Sequence, residues 1–216
     1  MLQTFGWKAA IAVCFNATLV TLIMRRELLA LGKPTVARMT VPPVVVVIHL
    51  CFLLGVVLFA HHPVVFMGML LFFMGYTHAY PKHQNPLLLK EALLVAFFLA
   101  GLVVLGGLQQ WWLQPLLVKL DSVLVFFGAI GLTAITDNAA LTYLGSLVEG
   151  TSEAFKYSLV AGAITGGGLT VIANAPNPAG LSILREHFPE GSVSALNLFL
   201  AALPPTIIAM IAFQLL

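Results

Sequence analysis

Apolar stretches of about 20 residues recur along this chain with scarcely a charge inside them, and that leaves few folds open. In hydrocarbon every backbone polar group must be paired within the protein, so such stretches form helices. Charged residues make up 8% of the sequence, against about a quarter in a soluble domain, and mean hydropathy is +1.03. The reading is an all-α polytopic membrane protein of about 6 transmembrane helices, with the lipid bilayer as its first partner. A formal charge of +2 is too small to indicate nucleic acid. Cys14 and Cys51 lie inside apolar segments and read as packing residues, with no disulfide or metal implied.

Apolar runs and breakers place helices near 7–24, 41–60, 64–80, 87–108 and 192–214. Between the last two lie an irregular region over 116–148 and a long interrupted segment over 154–184. The loop "RRELLALGKPTVAR" carries Arg25, Arg26, Lys33 and Arg38 and is the most basic in the chain. Taking it as cytoplasmic runs the first helix from outside to inside and leaves the carboxyl end outside. "QQWWLQPLL" (Gln109 to Leu117) pairs two Trp with Gln and Pro, a composition suited to a connection at the membrane–water interface.

Two interruptions carry the chemistry. "DSVLVFFGAIGLTAITDNAALTYLGSLV", Asp121 to Val148, is about 28 residues long, so as one straight helix it would span about 42 Å, beyond the ~30 Å hydrocarbon core. Asp and Asn compete with the helix for backbone groups, so a fold-back at Asp137–Asn138 makes a helical hairpin that enters and leaves on one side. A tilted continuous helix with one polar kink is the alternative. The second interruption is "VIANAPNPAGLSIL" (Val171 to Leu184), where Pro176 and Pro178 remove backbone donors and Gly180 permits close approach. The alternative there is a surface loop, but the first clear charge comes only at Arg185. Upstream, "TGGGLT" (Thr165 to Thr170) lets another backbone pack tightly. Two discontinuous helices in a small membrane protein point to a transport site near the bilayer midplane.

With "TDNAALTYL" and "ANAPNPAG" in view, the chain resembles the ion-transporter superfamily of NhaD-type sodium/proton antiporters, arsenite permeases and sodium-coupled dicarboxylate carriers. The nearest likeness is to a family labelled putative sodium/proton antiporters, whose members carry similar "DNAALTYLGSLV" and "NAPNPAG" stretches. NhaD-type proteins usually have Pro two residues after the Asn, where this chain has Ala140. The resemblance implies an inverted-repeat architecture in which this chain is one half: residues 1–40 are the closing helix of a first repeat plus the basic loop, and 41–216 are a second repeat, all one membrane domain. It further implies a missing repeat half or a homo-oligomeric partner, and a location in the bacterial inner membrane.

Asp137 is the one acidic residue placed deep in the bilayer, where a carboxylate costs about 2.5–3.5 kcal/mol and faces the protein interior. Sodium and proton then compete for one group. Asn138, Thr136, Asn174 and Asn177 add neutral oxygens of the kind hard cations prefer, with Asp137, Asn138 and Asn174 as the expected sodium ligands and Thr142 a lesser one. The structural alternative is an Asp that merely bonds the hairpin turn. His49 in the second helix reads as a packing residue rather than a proton relay. No nucleotide loop, metal-ligand cluster or nucleophile triad is present, so no enzyme and no cofactor beyond transported sodium and proton is expected. The leading function is sodium/proton exchange by alternating access. An anion or metalloid carrier on the same fold, and a non-transporting membrane assembly subunit, are the alternatives.

Overall fold

The computed structural model describes residues 2–30, 41–188 and 191–216. The protein is 80% helical and, among the described residues, has no strand, which makes it an all-α membrane protein. Helices Gln3–Ile23, Leu89–Gly107 and Ala195–Leu215 are long and apolar enough to cross a membrane; Pro43–Leu58, Pro63–Ala79 and Ser122–Ile135 are apolar but shorter. The contacts divide the chain into two compact units, Leu31–Leu88 and Met1–Ala30 with Leu89–Leu216. Lys33 and Arg38 of the basic loop lie outside the described residues, whereas Arg25 and Arg26 open a short helix.

We number the helices in chain order. The smaller unit holds α3 (Pro43–Leu58) and α4 (Pro63–Ala79), each opened by a proline where the missing N–H would be unpaired in any case. They run antiparallel: Gly55 meets the end of the Met69 side chain, and Phe52 stacks edge-on with Phe72 and Phe73 at 5.5 and 5.2 Å. His49 packs among Phe73 and Tyr76, its ring nitrogens 2.7 Å from the Val45 carbonyl and 3.0 Å from Gln84 Oε1. That is a packing and anchoring role. Cys51, with Cys14 in the other unit, is free and exposed, which corrects the expectation of packing residues.

The larger unit begins with α1 (Trp7–Ile23), preceded by a π-helical turn, and α2 (Arg25–Ala30). It continues with α5 (Leu89–Gly107), α6 (Gln110–Leu117), α7 (Ser122–Ile135), α8 (Asn138–Ser146), α9 (Glu153–Gly166), α10 (Pro176–Leu184) and α11 (Ala195–Leu215). The Trp-rich stretch is thus a short helix, not an extended connection, and Trp111 is outward-facing. Polar side chains set the helix starts. Asp121, Asp137, Ser152 and Ser194 accept backbone N–H bonds at the amino ends of α7, α8, α9 and α11, satisfying donors that would otherwise be orphaned. Helix α6 ends at Leu117 and α7 starts at Ser122, so residues 116–121 hold the junction between them.

The centre of this unit is the contact of α7 with α9. A β-carbon added at Gly162 would strike the Phe126 carbonyl, and one added at Gly166 would stand 2.6 Å from the Ile130 carbonyl oxygen. Thr170 donates its hydroxyl to the Ala134 carbonyl at 2.7 Å. All three pairs share one sequence offset, so the helices run parallel in fixed register. Small residues at four-residue spacing let the backbones touch, as in membrane helix pairs generally. Helix α8 doubles back alongside them: Leu159 of α9 packs with Val125 and Ala129 of α7 and also fills the space left by Gly145 of α8. Beneath, Phe126, Ile130, Ala161, Leu169 and Phe213 form the buried core. Helices α1 and α11 cross this core antiparallel, Phe5 stacking on Phe213 at 4.8 Å and Asn16 donating to the Pro205 carbonyl at 3.3 Å. Tyr143 of α8 reaches α5, donating to the Val103 carbonyl at 3.0 Å.

The two kinds of glycine contact should separate on substitution. Gly166→Val places methyls against backbone and should lower stability by about 1–3 kcal/mol, whereas Gly145→Ala meets only the flexible end of Leu159 and should cost less. Thermal unfolding of the two variants in detergent measures the difference.

Candidate functional site

The two interruptions meet. Helix α7 stops at Ile135 and α8 starts at Asn138, so Thr136 and Asp137 form the break between them. Helix α9 stops at Gly166 and α10 starts at Pro176, leaving 167–175 without regular helix. The second break therefore begins before Val171, overlaps the expected interruption through Ala175, and ends before its prolines. Pro176 and Pro178 sit in the first turn of α10, where a missing N–H is harmless, and Gly180 is inside that helix.

Asp137 is 6% exposed and its side chain caps α8, with Oδ1 accepting from Ala139 N at 2.8 Å and Ala140 N at 3.1 Å. Both bonds fall on the same oxygen, so Oδ2 takes no part in the cap. Among the described residues the sole ion pair is the exposed Lys156–Glu153 contact, so no basic side chain neutralises Asp137 there.

Asn138 links the breaks: its backbone N–H donates to the Ala173 carbonyl at 3.1 Å, and its side chain lies against Gly167. Asn177 folds the second break back on itself, its Nδ2 donating to the carbonyls of Gly167 and Thr170, each at 2.9 Å. The amide nitrogen, rather than the oxygen, is thus turned to the backbone, and Asn177 serves first as a clamp on the break. Asn174 lies in the same break, half-buried, and its carbonyl accepts from Asn177 N at 3.0 Å. Thr136 is exposed and returns its hydroxyl to the Leu132 carbonyl at 2.7 Å, while Thr142 bonds the Asn138 carbonyl at 2.8 Å. The structure therefore brings Asp137, Asn138 and the Asn177-clamped segment together and turns the two threonine hydroxyls back on their own helices. Thr170, which stitches the second break to α7, was not among the expected site residues. Its signal was its place four residues after Gly166 in a small-residue row.

The backbone at the second break is rich in acceptors. The carbonyls of Gly168, Leu169, Val171 and Ile172 receive no hydrogen bond among the described residues. A cleft of about 320 Å³ borders the break, lined in part by Gly168, Thr170, Val171 and Asn177. The donors at the two helix amino ends, in contrast, are spent. At α8 the amino end is occupied by the Asp137 carboxylate, and at α10 two of the first N–H groups are missing as prolines and that of Asn177 is bonded. Within the uncoiled run the N–H groups of Gly168, Thr170, Val171 and Ile172 are, like their neighbouring carbonyls, unbonded among the described residues.

The whole chain, residues 1–216, matches the family described as "Putative Na+/H+ antiporter". It belongs to that family of ion transporters. No curated protein and no solved structure matches the chain.

The caps separate structure from charge. Asp137→Asn keeps an N-cap acceptor and should leave thermal stability nearly unchanged, whereas Asp137→Ala should lose about 1 kcal/mol. Asn177→Ala removes two bonds that hold the uncoiled segment and should cost about 1–3 kcal/mol, read from thermal unfolding in detergent.

Proposed function

We propose that the protein exchanges a monovalent cation, sodium in the first instance, for protons, with the Asp137 carboxylate as the shared acceptor. The observation that carries this reading is a buried carboxylate, unpaired with any described basic residue, at the point where two helix breaks join. A buried charge without a partner is costly, and either a proton or a metal cation relieves it. Only one relieves it at a time, which couples the two flows. Neutral oxygens from Asn138, Asn174 and the free carbonyls of the second break complete the shell, and no further cofactor is invoked.

In this reading α7 and α8 are a re-entrant hairpin and α9–α10 a broken helix of the superfamily type, close to the NhaD and arsenite-permease patterns. The starts of α1, α7 and α9 and the end of α11 border one cleft, through Lys8, Ser122, Glu153 and Gln214. That common end faces outward in the proposed orientation, in a bacterial inner membrane. Access alternates as the hairpin tip and the uncoiled segment shift against the remaining helices. A second hairpin and broken helix, from another repeat half or a second copy, complete the transporter.

Because Asn can still cap α8, Asp137→Asn isolates the charge from the fold. Sodium-driven proton movement in everted vesicles should fall to background in this variant with normal insertion and stability. Exchange at the wild-type rate overturns the assignment.

A further inference from the structure

One hydroxyl in the core has no partner. Thr133, in the last turn of α7, is 0% exposed, and its Oγ1 makes no hydrogen bond among the described residues. Helical threonines elsewhere in the protein behave differently. Thr18, Thr21, Thr142, Thr165 and Thr206 each donate to the carbonyl four residues back at 2.7 or 2.8 Å. That local bond is available to any threonine in a helix, and Thr133 does not make it. A buried hydroxyl left unpaired costs about 1–3 kcal/mol, so its persistence calls for a partner that binds from outside the chain.

Its position says which. Thr133 lies four residues before Asp137, at the end of the helix that leads into the first break, and its β-carbon would be 3.0 Å from one added at Gly166, the last residue of α9. The adjoining residue, Gly167, is the one against which the Asn138 side chain rests. Thr133 thus stands at the seam where α9 uncoils, beside the residues that join the two breaks.

We infer that the Thr133 hydroxyl is a further ligand of the transported alkali cation, holding it on the α7 side of the site opposite the carbonyls of the second break. This rests on the exchange reading above and deepens it. The ion takes a lone pair of Oγ1, and no proton need move from the hydroxyl. A neutral oxygen there adds to the shell without adding charge, so it tunes affinity for the metal over the proton, which binds the carboxylate alone.

The test is sodium-dependent thermal stabilisation of the purified full-length chain, with choline replacing sodium at constant ionic strength, on wild type, Thr133→Val and Thr133→Ser. Valine is close in shape and removes only the hydroxyl. In choline the Val variant should be at least as stable as wild type, since the orphaned group is gone. In sodium its half-saturating concentration should rise about tenfold, the loss expected for one oxygen contact, while the Ser variant stays near wild type. A Val variant that is destabilised in choline shows that the hydroxyl serves the fold, and one with an unchanged sodium requirement shows that it is no ligand; either result overturns the inference alone. A wild-type chain that is indifferent to sodium overturns the exchange reading with it.

Discussion

Backbone that leaves a helix inside an apolar surrounding must find hydrogen bonds elsewhere, and here each break supplies them to the other. Thr170 donates to the Ala134 carbonyl at the end of α7, Asn138 donates to Ala173, and Asn177 reaches back to Gly167 and Thr170. Neither interruption is satisfied alone. This mutual pairing fixes the separation of the two breaks, and with it the place of every oxygen that faces between them.

The pairing is possible only because the helices leading into the breaks lie in contact. Gly162 and Gly166 remove the side chains that would hold α9 away from α7, and the shared register delivers Thr170 to Ala134 one further turn along. Packing thus sets the polar geometry. At the two helix amino ends the donors are consumed by Asp137, by prolines and by internal bonds, while the uncoiled run between α9 and α10 keeps open carbonyls.

Much of this was legible in the sequence because the polar residues stand against an apolar background. Asp137–Asn138 marked the end of one helix, and it is there that α8 begins. The location of the second break was read less well. Prolines are conspicuous breakers, but at the first turn of a helix they start it rather than stop it, so the uncoiled run begins earlier and holds Gly167, Gly168 and Asn174. The direction of side chains was not legible at all. Nothing in the order of residues shows that Asn177 turns its nitrogen to the backbone, that Thr136 bends back to Leu132, or that Thr133 is left unpaired; those depend on which helix lies opposite. The Trp-rich segment, read as suited to the membrane–water interface, holds a short helix despite Pro115.

The glycine contacts differ in what they touch, and this gives the assembly unequal stiffness. Helix α9 rests on α7 through main-chain atoms, which have no rotamers to relax into. Helix α8 rests on α9 through the branched tip of Leu159, which can swing. The same helix therefore offers a rigid rail on one side and a compliant bearing on the other. Displacements imposed on the molecule will collect in α8, whose amino end carries Asp137.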